Sequence, residues 1–276
     1  GGRPVSWAPY LRVWNYMQAY FPAQLHVDGK FDPEKTYVFG ISPHGIIGAS
    51  TVNNIVTEHA TNGLRARLKG LQFRILTVSF NFMVPIYREI IMALGFVSAS
   101  KESAHYLLSR GTSVFVVVGG ADEALDARPG LVDLTLDKRK GFVKIALQHG
   151  ASLVPVFGFG ENDAFDQVPN PPGSRLRAWQ LWMKRYFGFT TPLVKGRGVF
   201  QYSFGMMPFR RPLHTVIGEP IEVPHEPEPT QELVDEYHGK YIQALKALYE
   251  KHRGALEHPM DAKGRPIKSR GMRIVG

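Results

Sequence analysis

Apolar runs of strand length alternate with segments of helical period along most of this chain. Tyr37-Val38-Phe39-Gly40-Ile41 is β-branched and aromatic and predicts a short buried strand. Phe73 to Val78 predicts a second strand, and Leu153 to Phe159 another in the core. Ser113-Val114-Phe115-Val116-Val117-Val118 is the clearest strand, apolar without interruption and so suited to the centre of a sheet. Thr215 to Glu222 offers a late strand interrupted by Gly218. Between these lie helical patterns. Ser98 to Ser109 turns Ala104, Leu107 and Leu108 inward and is stopped by Gly111, and Lys140 to His149 carries Phe142, Ile145 and Ala146 at i, i+3, i+4 with Gly150 as its C-cap. Leu176 to Phe187 predicts a basic aromatic helix. Thr230 is an N-cap for a last helix that places Leu233, Tyr237, Tyr241, Leu245 and Leu248 on one face.

Strands alternating with helices predict an α/β fold, a mixed and mostly parallel sheet flanked by helices on both sides. No repeat or low-complexity linker divides the chain, and the proline-rich run from Pro220 to Pro229 reads as a spacer, so residues 1–276 are expected to form a single domain. Ser42-Pro43 ends the first strand, because proline cannot donate to a ladder and restricts the residue before it. From Gly45 onward small and apolar residues predict a helix, which puts His44 between a strand end and a helix start. A helix N-terminus disfavours a second positive charge on imidazole, and a general base must be neutral. Position alone serves a base or a helix-capping filler equally well. Two acidic loops, Asp122-Glu123 and Glu161-Asn162-Asp163, also follow apolar strands, so all three candidates are expected along one edge of one sheet. A base, a carboxylate to orient it and backbone amides for an oxyanion are the parts of acyl transfer. Capping of loops and helices is the competing role for both glutamates.

Residues Trp7 to Phe21 look like an aromatic-rich amphipathic helix ended by Pro22, fit for a membrane interface or for ordinary docking. Phe80 to Phe96 is the nearest approach to a spanning segment, but Asn81, Pro85, Arg88 and Glu89 interrupt it, which leaves an interfacial or core helix. The net charge of +9 asks for an anionic partner, whether nucleic acid, lipid headgroup or phosphate-bearing substrate. No nucleic-acid module is recognisable. With no cysteine there is no disulfide framework, thiolate metal site or cysteine nucleophile. There is no HExxH and no GxSxG, and Gly158-Phe-Gly160 and Gly196-Arg-Gly198 lack the third glycine of a dinucleotide loop.

The surviving motifs resemble those of the type-2 diacylglycerol acyltransferase family, which includes monoacylglycerol acyltransferases and wax synthases. Tyr20-Phe21-Pro22 looks like its YFP motif and Pro43-His44-Gly45 like its HPHG motif, with Ser42 where that motif has its first histidine. The run RKGFVKIALQHGASLVPVFGFGE from Arg139 to Glu161 is similar to its longest signature. Gly119-Gly120-Ala121-x-Glu123, Gly160-Glu161-Asn162-Asp163, Gly196-Arg197-Gly198-x-Phe200 and Gly218-Glu219-Pro220 follow in the family's order. The resemblance implies a glycerolipid-acyltransferase-like fold and transfer of a fatty acyl group from acyl-CoA to diacylglycerol, with monoacylglycerol or a fatty alcohol as the rival acceptor. It implies His44 as the base, with Glu123 first and Glu161 second as the carboxylate that orients it, since Ala49 stands where related acyltransferases carry an aspartate. Pro43, Gly45, Gly119, Gly120, Arg139, Lys140 and Asn162 are then expected at the substrate site. It further implies an endoplasmic-reticulum membrane enzyme, often on lipid droplets, with acyl-CoA as co-substrate, a membrane surface as partner and no metal, cofactor or nucleic acid. The family's N-terminal hydrophobic segment is missing before Gly1, so a catalytic portion of a longer protein is expected. A lipid-binding scaffold without catalysis is the rival from another class.

Overall fold

The first predicted strand is buried along its whole length, and its side chains alternate between two cores. Val38 belongs to one core, and Tyr37, Phe39 and Ile41 to the other. A strand covered on both faces has no polar side, which is why it reads as an unbroken apolar run. A computed structural model describes residues 4–58, 63–187, 192–201 and 205–275. From the N-terminus its elements are α1 (Val13–Tyr20), β1 (Ala23–Val27), β2 (Tyr37–Ser42), α2 (Ala49–Thr51, continued as a π-helix over Val52–Val56), α3 (Leu64–Arg67), β3 (Phe73–Thr77), α4 (Tyr87–Ala93), β4 (Phe96–Ser98), α5 (Lys101–Leu108) and β5 (Ser113–Val117). There follow α6 (Gly120–Asp126), β6 (Val132–Thr135), α7 (Gly141–His149), β7 (Ser152–Phe159), β8 (Asp166–Gln167), α8 (Arg175–Phe187), β9 (Val194–Lys195), β10 (Leu213–Ile217), α9 (Gln231–Leu256) and β11 (Met272–Val275).

Seven strands form one sheet in the order β1-β10-β7-β2-β5-β3-β4. The five strands from β7 to β4 run parallel, whereas β10 pairs antiparallel with β7 and carries β1 beside it. The sheet is therefore mixed and mostly parallel, as the alternation of elements implied. On one face α5, α7 and α9 pack through Leu107, Phe142, Leu147, Tyr241 and Leu245. On the other, Ile55, Leu64 and Leu94 cover Phe39 and Phe115, whose rings stack 4.1 Å apart. Gly150 ends α7 in the left-handed conformation, and the Thr230 hydroxyl accepts the Leu233 N–H at 3.3 Å to start α9.

Several expectations change in detail. Trp7 to Phe21 is a 3-10 turn over Ala8–Tyr10 followed by α1, with no residue of α1 fully buried. Phe80 to Phe96 is divided at Pro85 into a 3-10 stretch, α4 and the start of β4. The Gly119-Gly120-Ala121-Asp122-Glu123 segment opens α6 instead of forming a loop. Strands β1, β4, β6 and β11 are three to five residues long, too short for a hydrophobic period to register.

Candidate active site

Strand β2 lies between β5 and β7, parallel to both, so the C-terminal ends of all three emerge side by side. His44 follows β2, Glu123 follows β5 and Glu161 follows β7. This is the edge at which ligands bind in open α/β sheets. The three residues meet there through hydrogen bonds to backbone.

Glu123 Oε1 accepts the His44 backbone N–H, and its Oε2 accepts the Thr135 N–H at 3.1 Å. The carboxylate thus clasps the main chain at His44 to the C-terminal end of β6 in the small β6–β11 sheet. Burial pushes its pKa up to about 7, against the pull of the two N–H donors and the Arg139 guanidinium. Gly119 makes room for it, since a Cβ there would lie 2.0 Å from Glu123 Oε2. Glu161 is also buried. Its Oε1 accepts the Ala49 N–H at 2.9 Å and its Oε2 the Ser50 N–H at 2.6 Å. These are orphan donors of the first turn of α2, so Glu161 anchors the helix that leaves the His44 turn. Burial raises its pKa, opposed by those same N–H groups. Gly45 has a φ of +60°, and a Cβ on it would stand 2.3 Å from Glu161 Cγ. Glycine is required on both counts.

The imidazole of His44 takes neither carboxylate as a partner. Its Nδ1 lies 2.9 Å from the Gly45 carbonyl oxygen, which can only accept, so Nδ1 carries the hydrogen and Nε2 carries the lone pair. Burial lowers the pKa of the ring and keeps it neutral. The helix terminus invoked from sequence is not the cause, because Glu161 already occupies the first N–H groups of α2. The two glutamates hold the backbone on either side of His44, and the Gly45 carbonyl orients its ring.

The remaining expected residues divide. Pro43 and Asn162 line one small cavity with Glu161, and Asn162 Nδ2 donates to the Leu131 carbonyl at 2.7 Å. Gly120, with a φ of +67°, lies beside Arg139. Lys140 points elsewhere: its Nζ is 2.8 Å from Asp235 Oδ1 on α9. The sequence gives no sign of Thr135, places Tyr241 only on one face of the last helix, and offers Asp163 only as part of the acidic loop after β7. The Tyr241 hydroxyl donates to the Gly40 carbonyl at 2.9 Å, and burial pushes the Asp163 pKa up to about 7. A glycine inside an apolar strand was the available signal, since a Cβ at Gly40 would sit 2.3 Å from the Tyr241 hydroxyl. Among the described residues no group of three or more His, Asp or Glu side chains is arranged to hold a metal ion.

The family model described as "Diacylglycerol acyltransferase" matches residues 1–263. Diacylglycerol O-acyltransferase 2 of Dictyostelium discoideum is 46% identical over 257 residues, covering 92% of this chain and 77% of that one. Diacylglycerol O-acyltransferase 2B of Umbelopsis ramanniana and 2-acylglycerol O-acyltransferase 1 of Bos taurus are each 42% identical, covering 92% of this chain and 74% and 76% of theirs. Among solved structures, the 1-acyl-sn-glycerophosphate (LPA) acyltransferase PlsC from Thermotoga maritima is a distant likeness, with TM-score 0.47 and 12% identity over 87% of this chain and 79% of that one.

Proposed function

This chain belongs to the diacylglycerol acyltransferase family, and from that premise we propose that it is an acyl-CoA:diacylglycerol O-acyltransferase with His44 as general base. One observation carries the mechanism: a half-buried neutral imidazole whose Nδ1–H is tied to the Gly45 carbonyl, so that Nε2 is the proton acceptor. The acceptor hydroxyl gives its proton to Nε2 as its oxygen bonds to the thioester carbonyl carbon. The tetrahedral oxyanion then collapses, the C–S bond breaks, and the imidazolium returns the proton to the leaving sulfur. Triacylglycerol and free CoA result. No covalent enzyme intermediate, metal or bound cofactor is needed, and acyl-CoA enters as a co-substrate. The His44 N–H is engaged by Glu123, so oxyanion donors are sought among the backbone N–H groups of Gly45 and Gly119-Gly120.

A membrane surface is the proposed working place, at the endoplasmic reticulum and lipid droplets. Trp7, Tyr10 and Tyr16 are exposed on the N-terminal segment, and Met83, Ile86 and Ile90 around α4. The Val5 N–H donates to the Ala93 carbonyl at 2.9 Å, which ties the two apolar segments together. Such side chains suit the headgroup boundary, and among the described residues no helix is long and apolar enough to cross a membrane. Monoacylglycerol is the alternative acceptor, favoured by the similarity to 2-acylglycerol O-acyltransferase 1.

The test offers labelled oleoyl-CoA in lipid micelles with diacylglycerol, monoacylglycerol or hexadecanol. Triacylglycerol formed from diacylglycerol by wild type and lost in His44→Ala is the expected result. Product from monoacylglycerol alone would change the acceptor and keep the base. Lipid association that survives His44→Ala, with no transfer by either form, would favour a scaffold.

A further inference from the structure

The C-terminal tail crosses the loop between α6 and β6 and borders a second, open cavity of about 350 Å³, a size typical of small-molecule sites. We propose that this cavity holds the phosphate-bearing nucleotide end of the acyl-CoA donor through Arg128, Lys268 and Arg270. The inference rests on the donor assigned above and adds where that donor's distal end binds.

Charge is the first argument. Three cations and two carboxylates, Asp166 and Asp261, line the cavity. Asp261 is already neutralised by Arg265, with Oδ2 2.6 Å from its Nη2, and it also accepts the N–H groups of Lys263 and Arg265. Asp166 Oδ1 accepts the Gln167 N–H at 2.8 Å. Among the other tail cations, Arg273 is bound to Asp133 at 2.7 Å and faces away. The cavity therefore keeps a positive excess.

The second argument is preorganisation. Arg128 Nη2 donates to Asn170 Oδ1, a neutral amide that fixes the guanidinium without cancelling its charge. Asn170 is itself buried, and its Nδ2 donates to Gln180 Oε1 at 2.8 Å and to the Leu125 carbonyl at 3.2 Å. A planar fork held this way is suited to phosphate oxygens. The tail is set in place independently of its side chains, because the Arg270 backbone N–H donates to the Gly130 carbonyl at 3.1 Å and β11 pairs with β6.

Position is the third. Gly130 and Leu131 line this cavity and also the smaller one that reaches Pro43 and Glu161 beneath the His44 turn. One short loop thus lies between the cation cluster and the backbone segment that carries His44. A donor with its thioester at one end and its phosphates at the other, joined by a flexible arm, has matching ends. The family model ends at residue 263, so Lys268 and Arg270 lie beyond it.

The decisive experiment reverses both exposed tail charges, Lys268→Glu with Arg270→Glu, in the full chain in neutral mixed micelles. It compares oleoyl-CoA with oleoyl-pantetheine, which carries the same thioester and no nucleotide. The expected result is a rise of about tenfold or more in KM for oleoyl-CoA, with the KM for oleoyl-pantetheine unchanged. Adenosine 3′,5′-bisphosphate should bind wild type by titration calorimetry and fail to bind the variant. An unchanged KM for oleoyl-CoA, or an equal rise for both donors, would overturn the assignment. A defect that appears only in micelles containing phosphatidylserine would give these cations to lipid headgroups and also overturn it. Should wild type transfer from oleoyl-CoA to no acceptor, the donor reading fails, and the calorimetric comparison alone judges the cavity.

Discussion

Glu161 offers the sharpest test of how this site is built, because its two candidate roles predict opposite outcomes. If it anchors α2, Glu161→Ala removes the acceptors of the Ala49 and Ser50 N–H groups. Each buried donor left without a partner costs about 1–3 kcal/mol. Relief from burying a carboxyl whose pKa is already raised offsets part of that loss. A net destabilisation of about 1–5 kcal/mol follows, which for a chain of 276 residues lowers the melting temperature by roughly 2–9 °C. Glu161→Gln keeps one carbonyl acceptor and turns an NH₂ group toward the other N–H, so it should fall between wild type and Ala.

Thermal unfolding followed by intrinsic fluorescence in detergent reads this directly, beside kcat and KM at a temperature where every variant is folded. Both glutamate variants should lose stability in the order given. Their kcat should fall in step, because the turn that carries His44 has lost its support. A loss of kcat of a hundredfold or more in Glu161→Gln with an unchanged melting temperature would refute the reasoning. That pattern belongs to a group acting on the imidazole or the substrate, which the positions of Ala49 and Ser50 do not support.

Two further outcomes depend on pH. Glu123 has a folded-state pKa of about 7 against 4.5 unfolded, so between those values the folded protein keeps a proton that the unfolded chain has released. Its contribution to stability is present below pH 4.5 and is lost as the pH rises through 7, by about 3 kcal/mol at most; urea unfolding across that window should show the fall, and Glu123→Gln should flatten it. For activity, burial holds His44 below its ordinary value of 6.5. The acid limb of kcat/KM should therefore have its midpoint under 6.5, and a midpoint above 6.5 would exclude this imidazole, as described, from the role of base.

The parts of the site legible in the sequence are those carried by central strands. β2, β5 and β7 are apolar enough to be found without a partner, and three residues just beyond their ends must share an edge once the strands are parallel neighbours. What each residue does at that edge depends on contacts the strand pattern does not contain. Glu161 reaches back to Ala49 across 112 positions and Glu123 to His44 across 79, and neither spacing leaves a periodic trace. Lys140 shows the converse, since it sits in the family's longest signature yet pairs with Asp235 on α9. The resemblance singled out His44, and the geometry shows both glutamates holding the backbone around it instead of its ring.

The tail illustrates the limit most fully. Met272–Val275 is four residues long and pairs with Val132–Thr135, another short segment 140 positions earlier. Thr135 stands last in that pairing, and its N–H is one of the two donors that hold Glu123, which in turn holds His44. Read as sequence, Lys263 to Arg273 is a run of positive charge, and most such runs are solvated faces. Folded, the same stretch braces the clasp behind the His44 turn and presents Lys268 and Arg270 to the second cavity. A charge run takes on a specific role when the backbone carrying it is pinned, and here the pin is a parallel pair of four-residue strands together with the bond from Arg270 to Gly130.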